Sequence, residues 1–119
     1  MAGVSKAKLS GSTDGRQIKI VATASAGTLV HTAVLGVVAG TLDEIWLYGS
    51  NSAATAQAVV VQFGGTTSPD DQIQLTLAPQ SGLVLLLPGL VLQNGTVVRV
   101  YAAAANVVMV SGYVNAVTA

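Results

Sequence analysis

Apolar residues in this chain come in short runs, cut too often for helices of ordinary length. From Arg16 onward, alternating and β-branched segments recur between clusters of Gly, Pro, Asn and Ser. In Gln72-Ile73-Gln74-Leu75-Thr76-Leu77 the alternation is strict, which places Ile73, Leu75 and Leu77 on one core-facing side of a strand. The same reading predicts strands at 16–24, 28–35, 43–49, 56–63, 72–77, 82–87, 96–103 and 107–114, with 90–92 in the turn region before the seventh. Turns are expected at Gly64-Gly65 with Ser68-Pro69-Asp70-Asp71, at Pro79 to Gly82 and at Pro88-Gly89. Asn94-Gly95 is the strongest hairpin signal, because both residues accept the positive φ of a type I′ turn. Short strands at nearly regular spacing predict an all-β fold: a single antiparallel β-sandwich, jelly-roll-like, over residues 16–119. Residues 1–15 are small, polar and glycine-bearing, and read as an extended basic N-terminal arm.

Charge divides the chain in the same place. Only 8% of residues are charged, against about 25% in ordinary domains. Residues 1–20 hold Lys6, Lys8, Arg16 and Lys19 against Asp14, a net of +3. Residues 21–119 hold Arg99 against Asp43, Glu44, Asp70 and Asp71, a net of −3. Charge normally keeps a small domain soluble and solitary, and interface cores are depleted in Lys, Glu and Asp. A nearly uncharged body therefore implies surface that meets protein. Leu83 to Leu87 does not alternate, so both its faces are expected to be covered, one of them by a second layer or a neighbouring subunit.

At 51% apolar residues the membrane has to be considered. Val21 to Gly40 is the longest candidate span, but Thr23, Ser25, Gly27, Thr28, His31, Thr32 and Gly36 interrupt it. Strands apolar on both faces suit a packed sandwich better than a polar-lumen barrel. Met1 to Ser10 has no apolar region of the signal-peptide kind. The absence of cysteine removes disulfides and thiolate metal sites.

No constellation spells out a chemistry. Gly36 to Gly40 fits GxxxG without a spanning helix, and Ser5 to Lys8 fits S-x-x-K without the helix or partner motifs that acyl-enzyme chemistry needs. His31, the only histidine, reads as a strand residue on the face of Leu29 and Ala33; alone it cannot build a usual zinc site. Asp43-Glu44 and Asp70-Asp71 are the only acidic pairs, and neither has calcium-loop spacing. Asp70 and Asp71, after Ser68-Pro69, read as a solvated turn. Trp46 and Tyr48 share a strand face and read as core or interface aromatics. Asn94-Gly95-Thr96 matches a glycosylation sequon but reads as a turn. Four basic residues without interleaved aromatics form a weak nucleic-acid signal. No catalytic residue, metal site or cofactor is expected.

Several phrases resemble small structural proteins of tailed bacteriophage particles: Leu42 to Tyr48, Phe63 to Asp71, Pro88 to Gly95, and Gly112-Tyr113-Val114-Asn115. The resemblance implies a β-sandwich virion subunit of the capsid decoration or cement type. It implies a homo-oligomer on the capsid surface, a trimer being favoured, that braces the major capsid protein. The residues expected to contact partners are Lys6, Lys8, Arg16 and Lys19 in the arm, and Pro69, Asp70 and Asp71 in the loop. The competing readings are a neck or tail component, a lectin-like receptor-binding module using Trp46 and Tyr48, and a small hydrolase, which the shortage of His and paired acids disfavours.

Overall fold

A computed structural model describes residues 3–119. Nine strands form two antiparallel sheets packed face to face as a β-sandwich. The strands are β1 (Gly3–Lys8), β2 (Ile18–Lys19), β3 (Thr28–Thr32), β4 (Leu42–Asn51), β5 (Gln57–Phe63), β6 (Gln72–Leu77), β7 (Val84–Leu92), β8 (Val97–Ala102) and β9 (Val108–Thr118). One sheet runs β1-β9-β4-β7, with β2 also pairing along β9; the other runs β3-β8-β5-β6. Only β5 and β6 are consecutive strands paired within one sheet.

The core follows from alternation. In β4, Asp43, Ile45, Leu47, Gly49 and Asn51 point inward, while Leu42, Glu44, Trp46, Tyr48 and Ser50 point outward. Ile45 and Leu47 meet Val110 and Val114 of β9 within their own sheet, and face a layer of Val59, Val61, Val98 and Val100 from the other sheet. Leu9 and Ile20, which flank β2, are completely buried and close one side of this core.

The N-terminal segment departs from the expected arm. Residues 3–8 are extended, but they pair with β9 from Gly3 opposite Thr118 to Lys8 opposite Tyr113. Their side chains are all exposed, so no apolar alternation marks the strand; its pairing rests mainly on backbone hydrogen bonds, with Lys6 over the Tyr113 ring as a side-chain contact. Leu9 then enters the core, so the chain from Gly3 to Leu9 is built into the sandwich. The expected strand over 16–24 shrinks to Ile18–Lys19. Beyond it the Val21 and Ala22 amides donate to Thr28 Oγ1, which turns the chain back toward β3.

Strand β7 runs through the expected Pro88-Gly89 turn. It lies at a sheet edge, where a proline removes no ladder bond that a neighbour needs. Ile45 pairs with Leu90 and Trp46 with Pro88, leaving Gly89 as an extra bulged residue with φ of +76°. A second irregularity, between Leu87 and Leu85, lets Leu86 and Leu87 both turn inward. This is how the non-alternating leucine run is accommodated. Within the single chain only one face is covered: Leu83 and Leu85 remain exposed.

Asn94 and Gly95 both take positive φ, as a type I′ turn requires. The strands they join, β7 and β8, belong to different sheets, so the turn is an arch across the sandwich rather than a hairpin. A register shift between Leu29 and His31 separates two residues expected on one face: His31 is buried, Leu29 is exposed.

Candidate interaction face

The outer faces of the two sheets differ in chemistry. The β3-β8-β5-β6 sheet presents Gln72, Gln74, Thr76, Arg99 and Tyr101, with Gln74 donating to Gln72 and Gln72 to the Tyr101 hydroxyl. The β1-β9-β4-β7 sheet presents Trp46, Tyr48, Tyr113, Met109, Leu85 and Val91, with Lys6 and Lys8 at its β1 edge.

On that second face a lateral stack crosses all four strands. Trp46 lies opposite Tyr113, with ring centroids 6.2 Å apart and planes inclined by 12°. The Lys6 ammonium sits 4.6 Å from the Tyr113 ring centroid, in cation–π range. Gly89 flanks the indole; a Cβ there would lie 2.9 Å from Trp46 Cζ2, so the bulge makes room for the ring. The indole is fixed by a short bond, Trp46 Nε1 donating to Glu44 Oε1 at 2.6 Å, and Asn115 Nδ2 donates to the same oxygen at 3.0 Å. The Trp46 bond, and after it the Asn115 bond, hold the Glu44 carboxyl below its ordinary value of 4.5, against a smaller opposing effect of desolvation. Trp46 and Tyr48 are half-buried, neither core residues nor fully free.

Of the residues expected to touch partners, the structure brings some together and separates others. Lys6 and Lys8 lie on the outer face of β1; Lys8 Nζ donates to the Ser12 carbonyl. Arg16 and Lys19 line an open cleft of about 410 Å³ with Gly11, Thr13, Gln17, Ile18 and Met109. Pro69, Asp70 and Asp71 belong to the β5–β6 loop at the other end of the sandwich, where Asp71 Oδ2 accepts the Thr67 amide. Tyr113, Asn115 and Gly89 were not among the residues expected to make contacts. The signal for Tyr113 was its place on an alternating strand, but only the β4–β9 register puts it beside Trp46.

His31, Asp43 and Ser10 meet in space without forming a hydrolytic triad. His31 Nε2 and Asp43 Oδ2 are 2.8 Å apart. His31 Nδ1 accepts the backbone N–H of Ser10 at 3.0 Å, which places the ring proton on Nε2, donating to Asp43. The Ser10 hydroxyl oxygen instead accepts the Thr32 amide at 2.7 Å. A triad needs the serine hydroxyl on the imidazole; here the backbone fills that position. The pair ties the turn after β1 to β3 and β4, and Asp43 also accepts the Val34 amide.

Comparison with known proteins adds no assignment: no protein-family model, no curated protein and no solved structure matches the chain.

Proposed function

We propose that this chain is a non-enzymatic assembly subunit that adheres through the outer face of the β1-β9-β4-β7 sheet. The observation that carries the reading is the contrast between the two outer faces: one bears mainly glutamine and threonine with Arg99 and Tyr101, the other carries Trp46, Tyr48, Tyr113, Met109, Leu85 and Val91 among Glu44, Ser50, Ser111 and Asn115. Large apolar patches on a small domain mark places where protein is met. Rigid aromatic anchors such as Trp46, held by Glu44 and stacked on Tyr113, bind at low entropic cost. The resemblance read from the sequence is what suggests the setting: a capsid decoration or cement role on the virion, with the major capsid protein as partner. The strand order, in which β1, β9, β4 and β7 lie over β3, β8, β5 and β6, accords with a jelly roll.

The test is copurification with assembled heads. Tyr48→Lys puts a charge in the face at a side chain with no hydrogen-bond partner among those described, so it leaves the fold intact. The expected result is that the native chain stays with heads in hundreds of copies and the variant is lost. A few copies per particle would move the protein to the neck or tail, and equal retention of the variant would exclude this face.

A second reading has its own observation. Trp46 and Tyr48 are half-exposed on one face, beside the polar groups of Glu44 and Asn115, as a glycan-stacking platform requires. Tryptophan fluorescence that shifts on adding oligosaccharides, without heads present, would favour a lectin-like module.

A further inference from the structure

Half of the ten charged residues are engaged within the molecule as follows. Asp43 binds His31, Glu44 binds Trp46 and Asn115, Lys6 covers Tyr113, Lys8 binds the Ser12 carbonyl, and Arg99 donates to the Gly27 carbonyl. Among the described residues, the only contact of a carboxylate with a titratable nitrogen is the His31–Asp43 hydrogen bond. The guanidinium of Arg16, the ammonium of Lys19 and the carboxylate of Asp70 have no side-chain partner there, and neither does Asp14, in the turn before Arg16.

Apart from Asp14, which lies beside Arg16, these charges fall at two places of opposite sign that cannot reach each other; Asp71, next to Asp70, adds to the acidic one while its Oδ2 accepts the Thr67 amide. Arg16 and Lys19 line the cleft beside Met109, next to β2 and the β1 side of the sandwich. Asp70 and Asp71 lie at the tip between β5 and β6, on the opposite edge of the other sheet. The tip is also at the opposite end of the strands: Gly64 donates to the Val97 carbonyl and lies against Leu92, which pairs with Asp43, itself opposite Ala116. From Met109 to Ala116 along β9 is roughly 23 Å at the usual strand rise. Each cluster also has apolar company. Ile18 and Met109 line the cleft. Leu35, Val37 and Val38 stand exposed at the tip end, beside a hollow of about 330 Å³ lined by Leu42, Val91, Leu92, Gln93 and Thr96.

We propose that the acidic β5–β6 tip of one copy docks into the Arg16–Lys19 cleft of a second copy, head to tail. The proposal rests on the assembly reading and names a contact between subunits that it uses. Donor and acceptor surfaces at opposite corners make the contact heterologous, so successive copies close into a ring when the rotation between them allows. In a chain so poor in charge, an unpaired cation pair and an unpaired acidic tip also fix the register of association.

The experiment is sedimentation velocity of the full chain at micromolar concentration and low salt, with Arg16→Glu, Asp70→Lys and the double variant carrying both changes. Both side chains lack partners within the molecule, and circular dichroism checks that each variant keeps its β signal. The expected result is an oligomer for the native chain, weakened about tenfold or more in each single variant, and recovered at least in part in the double variant. Recovery follows because every contact in the double variant opposes positions 16 and 70 with their signs exchanged. A monomeric native chain, an unchanged oligomer in either single variant, or a double variant no better than the single ones would overturn the proposal. Heads are tested in parallel. A monomer that still stays on heads refutes only the contact between copies. A charge-dependent oligomer that never joins heads refutes only the shell reading.

Discussion

Gly89 stands against the Trp46 indole so closely that even one methyl group would collide with it, while its own φ of +76° suits glycine. The two residues define each other's position: the bulge exists where the ring needs space. Gly89→Ala brings both a left-handed backbone penalty and a steric conflict, and is expected to cost about 1–3 kcal/mol. Urea denaturation followed by tryptophan emission measures it. A change under a few tenths of a kcal/mol would mean that the indole is not confined there.

Glu44 makes acid stability dependent on one carboxylate. Its folded pKa lies below 4.5 because Trp46 and Asn115 donate to it. The stability this contributes is therefore present above the unfolded value and lost as pH falls through the folded one. Glu44→Gln keeps an oxygen for the Trp46 N–H but no longer titrates. The native chain is expected to lose more stability than the variant between pH 6 and about pH 3. Parallel urea midpoints across that range would show no difference if the two hydrogen bonds do not form.

Gln62 is completely buried although it stands on the outward side of β5. Its Oε1 accepts the Gly27 amide, and its Nε2 donates to Ser25 Oγ at 2.6 Å. Gln62 thus pins the Ser25–Gly27 part of the loop over the sheet, beside the Arg99 bond to the Gly27 carbonyl. Gln62→Ala leaves the Gly27 N–H without its acceptor and should cost about 1–3 kcal/mol. Hydrogen exchange at Gly27 should quicken more than exchange in β4, which separates local release from general loosening.

Deletion of residues 1–15 is expected to unfold the domain rather than trim it. It removes β1 from the edge of β9, Leu9 from the core and the Ser10 amide from His31. Loss of the buried leucine alone is of the order of 2–5 kcal/mol. Circular dichroism of the truncated chain decides the matter, and a native spectrum would show that β1 is dispensable.

The sandwich itself was legible, since alternation in 72–77 and the β-branched runs at 56–63 and 96–103 fall on β6, β5 and β8 almost residue for residue. What escaped were features set by pairing. β1 carries no apolar stripe, because both sides of that edge strand are open to solvent. β7 hides two irregularities, and a linear reading takes Pro88-Gly89 for a turn when edge position makes it a bulge. The lateral stack depends on Tyr113 lying opposite Trp46, a register that joins residues 67 positions apart in the chain. Charge scarcity pointed toward assembly, but not toward which surface stayed apolar.

Strand β9 lies between β1 and β4, although the chain reaches it after every other strand. β1 has no sheet to join until residues 108–118 have left the ribosome, and β4 until then has only β7. The aromatic face is therefore completed last: Trp46 and Tyr48 can sit beside β7 early, but Tyr113 and Lys6 join them only when β9 enters between β4 and β1.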